Sequence, residues 1–364
     1  MTLDVLQVVT STDRRGAEVF AVELGRALDG LGLRVRTVAL APGPSGGLDV
    51  TALGPRPLAF STLRRLRGAA GDASIVVAHG SRTLPACALA LAGTGVPFVY
   101  RNIGDPTYWA GSWSRQTRVR WMLRRVAAVV AVAPAAATIL RERFGVSPER
   151  VTAIPTGASA STFAPVPLSA RARARADFGL PADAPVVVVL GALSVEKDVG
   201  LAIDAIGASG DFYLLVAGDG PERDALEARA ETTAPGRVHF LGSVDDPVPV
   251  YAAGDVVLLT SRTEALPAVL IEAGLQGLPV VTTDVGFVRE IVVDGETGLL
   301  VSRRDSRAVA TALERARREG AALGAAGRAR CLSRFELRAV AEQWASVLRE
   351  RGEPSDHGER SSSG

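Results

Sequence analysis

Residues 261–281 read "SRTEALPAVLIEAGLQGLPVV". The run "DVVLLTS" leads into this stretch and "LPVVTT" closes it. Both are apolar without alternation, as strands of a parallel sheet covered on both faces are. Between them Pro267 suits the first helical position, and a helix is expected from Pro267 to about Gln276. Strand, loop, helix and strand in this order make an α/β unit. Two acids interrupt the apolar pattern, Glu264 in the loop and Glu272 between one and two turns into the helix. A buried carboxylate is costly unless it is paired. Both are therefore expected to border a ligand site at the carboxyl end of the sheet, where such sheets bind ligands.

The same rhythm extends both ways. Upstream stand "APVVVVLGAL", "FYLLVAGDG" and "RVHFLG", and downstream "TGLLV". The first half has its own series: "LDVLQVV", "RVRTVAL", "SIVVAHG", "PFVYRN", "VAAVVAVA" and "RVTAIP". A glycine-closed helix, "GAEVFAVELGRALDGLG", separates its first two strands. The stretch "TGASASTFAPVPLSA", rich in small residues and proline, reads as a linker. The expected fold class is α/β, with domains over residues 1–165 and 166–340. A terminal helix over 341–350 is expected to pack back on the first domain, and 351–364 to be a disordered tail.

The chain has 364 residues, 47% of them hydrophobic, enough for two such cores. No apolar run reaches the ~18 uncharged residues that would span a membrane. The start, "MTLDVLQVVT", enters a strand pattern without a basic leader, so no secretory signal is expected. Two separated cysteines, Cys87 and Cys331, fit a reducing compartment and a cytoplasmic location. The net charge of +2 conceals an asymmetry: residues 1–160 hold 19 basic and 10 acidic side chains, the remainder 22 and 29. The N-terminal half is thus the side expected to meet an anionic partner or surface. Of the 41 basic residues all but one are arginine; the lone lysine is Lys197.

Lys197 follows the strand "VVVVLGAL", where an ammonium can pair with a phosphate as a compact point charge. Gly16, after "TSTDRR", lets a backbone approach a ligand and leaves free N–H groups for negative charge. In "AGDGPE", Gly218 and Gly220 flank Asp219, and the segment reads either as a nucleotide loop or as a tight turn. None of these is the GxGxxG fingerprint of dinucleotide sites, which removes most support for an oxidoreductase. Carboxylates accept hydrogen bonds from paired sugar hydroxyls, and the first turn of the helix after Glu264 offers N–H groups to a phosphate. Glutamates for hydroxyls with a lysine for phosphate describe a nucleotide-sugar site. His79, His239 and His357 are scattered and no D-x-D cluster stands at a strand end, so no metal site is expected. His79 in "VAHGS" reads either as an acceptor or sugar contact or as structural, and His239 as a packed strand residue.

On these residues the chain resembles the GT4-type retaining glycosyltransferases. The resemblance spans nearly all of the chain and is strongest over "SRTEALPAVLIEAGLQGLPVVTTDVGFVREIVVDGETGLLV". The segments "GALSVEKDV", "VAGDGPERDALEA", "RVHFLGSV" and "RRGAEVFAVELGRAL" also match. It implies a GT-B fold, two facing Rossmann-like domains with an interdomain cleft: an acceptor-side domain and a nucleotide-sugar domain. It implies retaining, metal-independent hexosyl transfer from a nucleoside-diphosphate sugar, with no cofactor. In that scheme Glu272 binds the ribose, Glu264 lies near the donor sugar, Lys197 binds the diphosphate, and Gly16 leaves room for donor phosphates or acceptor. The backbone at Ser243 and Val244 holds the base, and Gly218, Ala265 and Leu266 complete the donor-side set. Asn102 and His79 join Glu264 and Lys197 as catalytic candidates.

The chain departs from the family pattern in places. Ala192 stands where an arginine is usual, and "YRNIGD" puts Asn102 near the place of a histidine, with Arg101 able to supply charge. "TGAS" replaces a common "NG(V/I)D" turn, and Ala265 and Phe287 replace glycines. Two alternatives stay open: a nucleotide-sugar epimerase, and a catalytically weak sugar-binding relative. The expected acceptor is a small molecule, glycan or glycolipid; nucleic acid is not expected as a partner. The segment "YWAGSWSRQTRVRWMLRR" sets Trp109, Trp113 and Trp121 among five arginines. A helix from about Ser114 would bury Val119, Met122 and Val126. Its outer surface reads as a membrane-surface contact, as a wall for a polar acceptor, or as a solvated helix, and at most weak peripheral membrane association is expected.

Overall fold

The computed structural model of the chain describes residues 2–44, 46–105, 112–302 and 304–352. Trp109, His357 and the expected tail from residue 353 lie outside the described residues. The chain divides into two units, Met1–Thr156 with Leu337–Gly364, and Gly157–Glu336.

The first unit is built on β1 (Asp4–Ser11), β2 (Arg34–Ala41), β3 (Thr51–Ala52), β4 (Ile75–His79), β5 (Phe98–Asn102), β6 (Ala128–Ala131) and β7 (Val151–Ala153). They form one parallel sheet in the order β3-β2-β1-β4-β5-β6-β7. Val5, Leu6, Val8 and Val9 of β1 are all buried, which is why that strand shows no alternation: helices cover both faces. These helices are α1 (Gly16–Asp29), α2 (Phe60–Ala70), α3 (Thr83–Ala90), α4 (Trp113–Leu123) and α5 (Pro134–Phe144). On α1, Phe20, Leu24 and Leu28 recur every fourth residue and meet a stripe of the C-terminal helix, Leu337–Gly352. That stripe is Leu337, Val340, Ala341, Trp344, Ala345 and Leu348. Each large apolar side chain buried there contributes roughly 1.5–3 kcal/mol. Because Leu337 already belongs to the stripe, the helix starts earlier than residue 341, and it continues to Gly352.

The second unit carries β8 (Val186–Leu190), β9 (Tyr213–Ala217), β10 (Val238–Gly242), β11 (Val256–Leu259), β12 (Val280–Thr283) and β13 (Leu299–Val301). All are parallel, in the order β10-β9-β8-β11-β12-β13. Its helices are α6 (Leu168–Asp177), α7 (Val199–Ala208), α8 (Arg223–Thr233), α9 (Val248–Ala253), α10 (Ala268–Gln276) and α11 (Ser306–Phe335). The expected linker is packed rather than free. Ala158 and Phe163 are buried, and Phe163 meets the Tyr251 ring edge-on at 5.9 Å. The division accordingly falls after Thr156 and not near residue 165. Pro267 has an extended ψ of 116° and caps α10 instead of opening it.

Candidate active site

The chain turns back at β8. After β9 and β10 it returns to lay β11 on the other side of β8. Loops leaving two such strands diverge and open a crevice at their carboxyl ends. Lys197 is on the loop after β8 and Glu264 on the loop after β11. The structure brings them together: Lys197 Nζ donates to Glu264 Oε1 at 2.5 Å. Ser261 Oγ donates to the same oxygen at 2.6 Å. The Glu264 side chain is 11% exposed and that of Lys197 30%, so the pair is desolvated enough to hold its geometry and open enough to meet a ligand. The Glu264 backbone is fixed from the other side. Gly286 is left-handed (φ 57°), and a Cβ there would lie 1.8 Å from the Glu264 carbonyl oxygen. Phe287 N donates to Ala265 O at 3.0 Å, and Leu266 is buried.

Glu272 sits further along the same segment, on α10. Its Oε2 accepts from the Tyr251 hydroxyl at 2.5 Å. Tyr251 is wholly buried, and burial first, then the Glu272 charge, pushes its hydroxyl well above the ordinary range. The phenol therefore stays a neutral donor that orients the carboxylate. Ser243 is exposed and Val244 half-buried just beyond β10.

The loop that carries Lys197 ends on an unusual residue. Asp198 (φ 46°, ψ 49°) is the one non-glycine among the described residues with a positive φ. Arg304 and Arg262 both pair with its carboxylate, the latter at 3.4 Å.

Gly218 is explained by packing. Its φ is 148°, and a Cβ would lie 1.8 Å from the Gly191 carbonyl oxygen. At Gly220 a Cβ would come 2.4 Å from Leu193 O. The "AGDGPE" turn thus lies against the loop after β8, and its glycines answer to that close approach. Gly16 is the opposite case: it opens α1, is exposed, and has nothing within 4 Å of a Cβ position. The fold itself does not require glycine there.

Three residues of the first unit depart from their expected place. His79 is 2% exposed. Its Nε2 meets Gln7 Oε1 at 2.8 Å, while Gln7 Nε2 donates to Ala21 O at 2.8 Å. The ring must therefore donate through Nε2, and Trp344 stacks on it at 6.2 Å. Burial first, and Arg101 second, hold its pKa well below the ordinary value. This is a neutral packed imidazole and not an acid–base group, which corrects the catalytic reading of His79. Asn102 is wholly buried, its Nδ2 3.5 Å from the Tyr100 hydroxyl and its Oδ1 without a partner. It belongs to the interior at the end of β5, and the catalytic reading needs a surface it does not have. Arg101 is spent inside as well: it lies 4.0 Å over the Phe20 ring and donates to Thr156 Oγ1 at 2.8 Å. Burial lowers its pKa to about 9 against the opposing charge of Glu18.

Sequence reasoning missed Tyr251, Ser261 and the arginines on Asp198. Ser261, three residues before Glu264, was within local reach. The others, Tyr251 on α9 and the two arginines on loops, meet their partners from distant positions in the chain and leave no local signal. Among the described residues no three His, Cys, Asp or Glu side chains gather as a metal-binding group would, and no helix is long and apolar enough to cross a membrane.

Comparison with known proteins follows this division. Residues 14–161 match the profile of Glycosyltransferase Family 4, and residues 184–318 that of Glycosyl transferases group 1. The lipopolysaccharide core biosynthesis glycosyltransferase LpsE of Rhizobium meliloti is 40% identical over 141 residues, 38% of this chain and 42% of that one. The chain spans about half the length of the first curated relatives it matches. In fold it is similar to Anabaena HepE, crystallised with UDP and glucose: TM-score 0.84, 22% identity, covering 96% of this chain and 100% of that one. The GDP-mannose-dependent alpha-(1-6)-phosphatidylinositol monomannoside mannosyltransferase of Mycolicibacterium smegmatis is 32% identical over 261 residues, 66% of this chain and 68% of that one. With one family profile on each unit and a relative matched over two thirds of its length, the chain belongs to glycosyltransferase family 4.

Proposed function

We propose that the protein is a retaining glycosyltransferase that moves a sugar from a nucleoside diphosphate to an acceptor hydroxyl. The observation that carries this reading is the Lys197–Glu264–Ser261 contact on the two loops that diverge beside β8, with Glu272 following on α10. Lys197 and the N–H groups at the start of α10, which no side chain caps, meet the charge that gathers on the departing diphosphate. Glu264 orients the sugar and Glu272 takes the ribose hydroxyls. The bond from the anomeric carbon to the diphosphate breaks while the acceptor oxygen bonds to that carbon from the same face. The acceptor proton passes to the departing phosphate. Protein cations answer the leaving-group charge in this scheme, and it needs no metal. The UDP and glucose bound to the similarly folded HepE support the donor class, and two free, buried thiols support a cytoplasmic location. A screen of nucleotide sugars should find one that raises the melting temperature, by mass action on the folded state. Free nucleoside diphosphate should then form with that donor only when an acceptor is added. Release without an acceptor, or stabilisation by no nucleotide sugar, would remove the transferase reading.

On the acceptor side, α2 packs on α3 and α3 on α4. Residues 54–71, 80–96 and 112–125, which include these helices, hold ten arginines and no acid. They also hold Leu58, Phe60, Leu89, Trp113 and Trp121, all exposed; Phe60 is 83% and Trp113 81% exposed. Arg125 lies 5.1 Å over the Trp121 ring. Val119, Met122 and Val126 are buried on the other side. Aromatic and aliphatic side chains among arginines suit the headgroup region of an anionic membrane. The relatives that act on lipopolysaccharide core and on a phosphatidylinositol mannoside support a glycolipid acceptor met there. Sedimentation with anionic vesicles should show binding at low salt that weakens several-fold near 0.15 M, where the Debye length is about 8 Å. Absence of binding at both salts would exclude this surface.

A further inference from the structure

We propose that Asp198 is a positioning residue for Lys197, and that it acts by locking the loop after β8 to the loops after β11 and β13. The backbone of Asp198 is left-handed, a conformation costly for most residues with a Cβ, though aspartate and asparagine tolerate it better than the rest. Glycine would adopt it freely. What a glycine lacks is the carboxylate, and that carboxylate is in use. It is 18% exposed and takes arginines from two other loops, Arg262 two residues before Glu264 and Arg304 beyond β13. Arg304 Nη1 also donates to Ser261 O at 3.2 Å, the residue whose hydroxyl serves Glu264. Thr260 Oγ1 donates to the carbonyls of Lys197, at 3.2 Å, and Asp198, at 3.0 Å. Arg262 N donates to Glu196 O at 2.7 Å. The left-handed turn thus directs Lys197 toward Glu264, and the two arginines hold both loops in that register. Charge-assisted contacts to a mostly buried carboxylate are strong enough for this.

The catalytic part of this inference rests on the reading of Lys197 as the cation for the leaving diphosphate; the positional part does not. Lys197 is the single lysine of the chain, so lysine labelled with 13C and 15N yields one side-chain signal whose position reports its contact with Glu264. Glu264→Gln marks the signal without that contact. In Asp198→Gly the signal should move at least about halfway to the Glu264→Gln position, while the melting temperature stays within roughly 3 °C, since relief of the left-handed strain offsets lost pairing. Turnover should fall about tenfold with the donor KM within about threefold. Asp198→Asn, which tolerates the left-handed turn and keeps an acceptor oxygen, should recover part of both. A signal unmoved in Asp198→Gly overturns the proposal. So does a signal loss that follows a large drop in melting temperature and is regained on cooling. A wild-type protein that transfers no sugar would sink the functional reading instead, and the lysine signal would still decide the positioning role.

Discussion

Lys197→Ala is expected to lower turnover by roughly 10²–10³-fold, while donor affinity changes much less. The charge of this side chain is largely engaged in the ground state, at 2.5 Å from Glu264 Oε1. Its contribution grows only as the diphosphate departs and the negative charge beside it increases, so the loss belongs to kcat. Lys197→Arg should not restore the rate. A planar fork cannot take the place of a point charge between Glu264 and a phosphate without moving both. The composition makes this test sharp, since arginine serves at every other basic position of the chain. Initial rates at saturating donor, with calorimetry for affinity, measure the two effects separately. Near-wild-type turnover in Lys197→Ala would remove the lysine from the chemistry.

Glu272→Ala should weaken donor binding by about 1.5–3 kcal/mol, the range for hydrogen bonds to a charged group. That is roughly 10–150-fold in Kd. The same change strips the buried Tyr251 hydroxyl of its 2.5 Å acceptor and leaves only a 3.5 Å approach to Val269 O. Some stability should be lost with it. Glu272→Gln separates the two effects, because an amide oxygen still serves Tyr251 while the charge is gone: stability should return and donor affinity should not. Glu264→Ala should behave in the opposite sense, harming turnover more than binding. Calorimetric titration of all three variants decides it, and unchanged affinity in both Glu272 variants would end the claim that this carboxylate holds the donor.

Much of this was legible in local pattern. The runs "VVVVL", "YLLVA" and "VVLL" read as covered parallel strands, and they are β8, β9 and β11. The apolar segment after Pro267 had to be a helix, and α10 ends at Gln276 as expected. The acids at Glu264 and Glu272, and the lysine kept amid arginines, announced polar chemistry in apolar surroundings. Residue type and spacing carry that information because propensity and periodicity are properties of neighbours in the chain.

Strand order is not such a property. Lys197 and Glu264 meet across 67 positions because β11 lies beside β8, and nothing within either loop encodes that adjacency. His79 shows the same limit from the other side. A histidine at a strand end looks available until the C-terminal helix lays Trp344 on its ring. The glycines of "AGDGPE" read equally as a nucleotide loop or a tight turn, and the tertiary structure sets them against the carbonyls of Gly191 and Leu193. Nothing local in the sequence singles out Asp198, yet its left-handed backbone is held by arginines 64 and 106 positions away. The chain's local chemistry settled the kind of fold and marked the charged residues of the candidate site. Which charged groups face one another was decided by packing, since burial and Coulomb energy depend on distance in space, not along the chain.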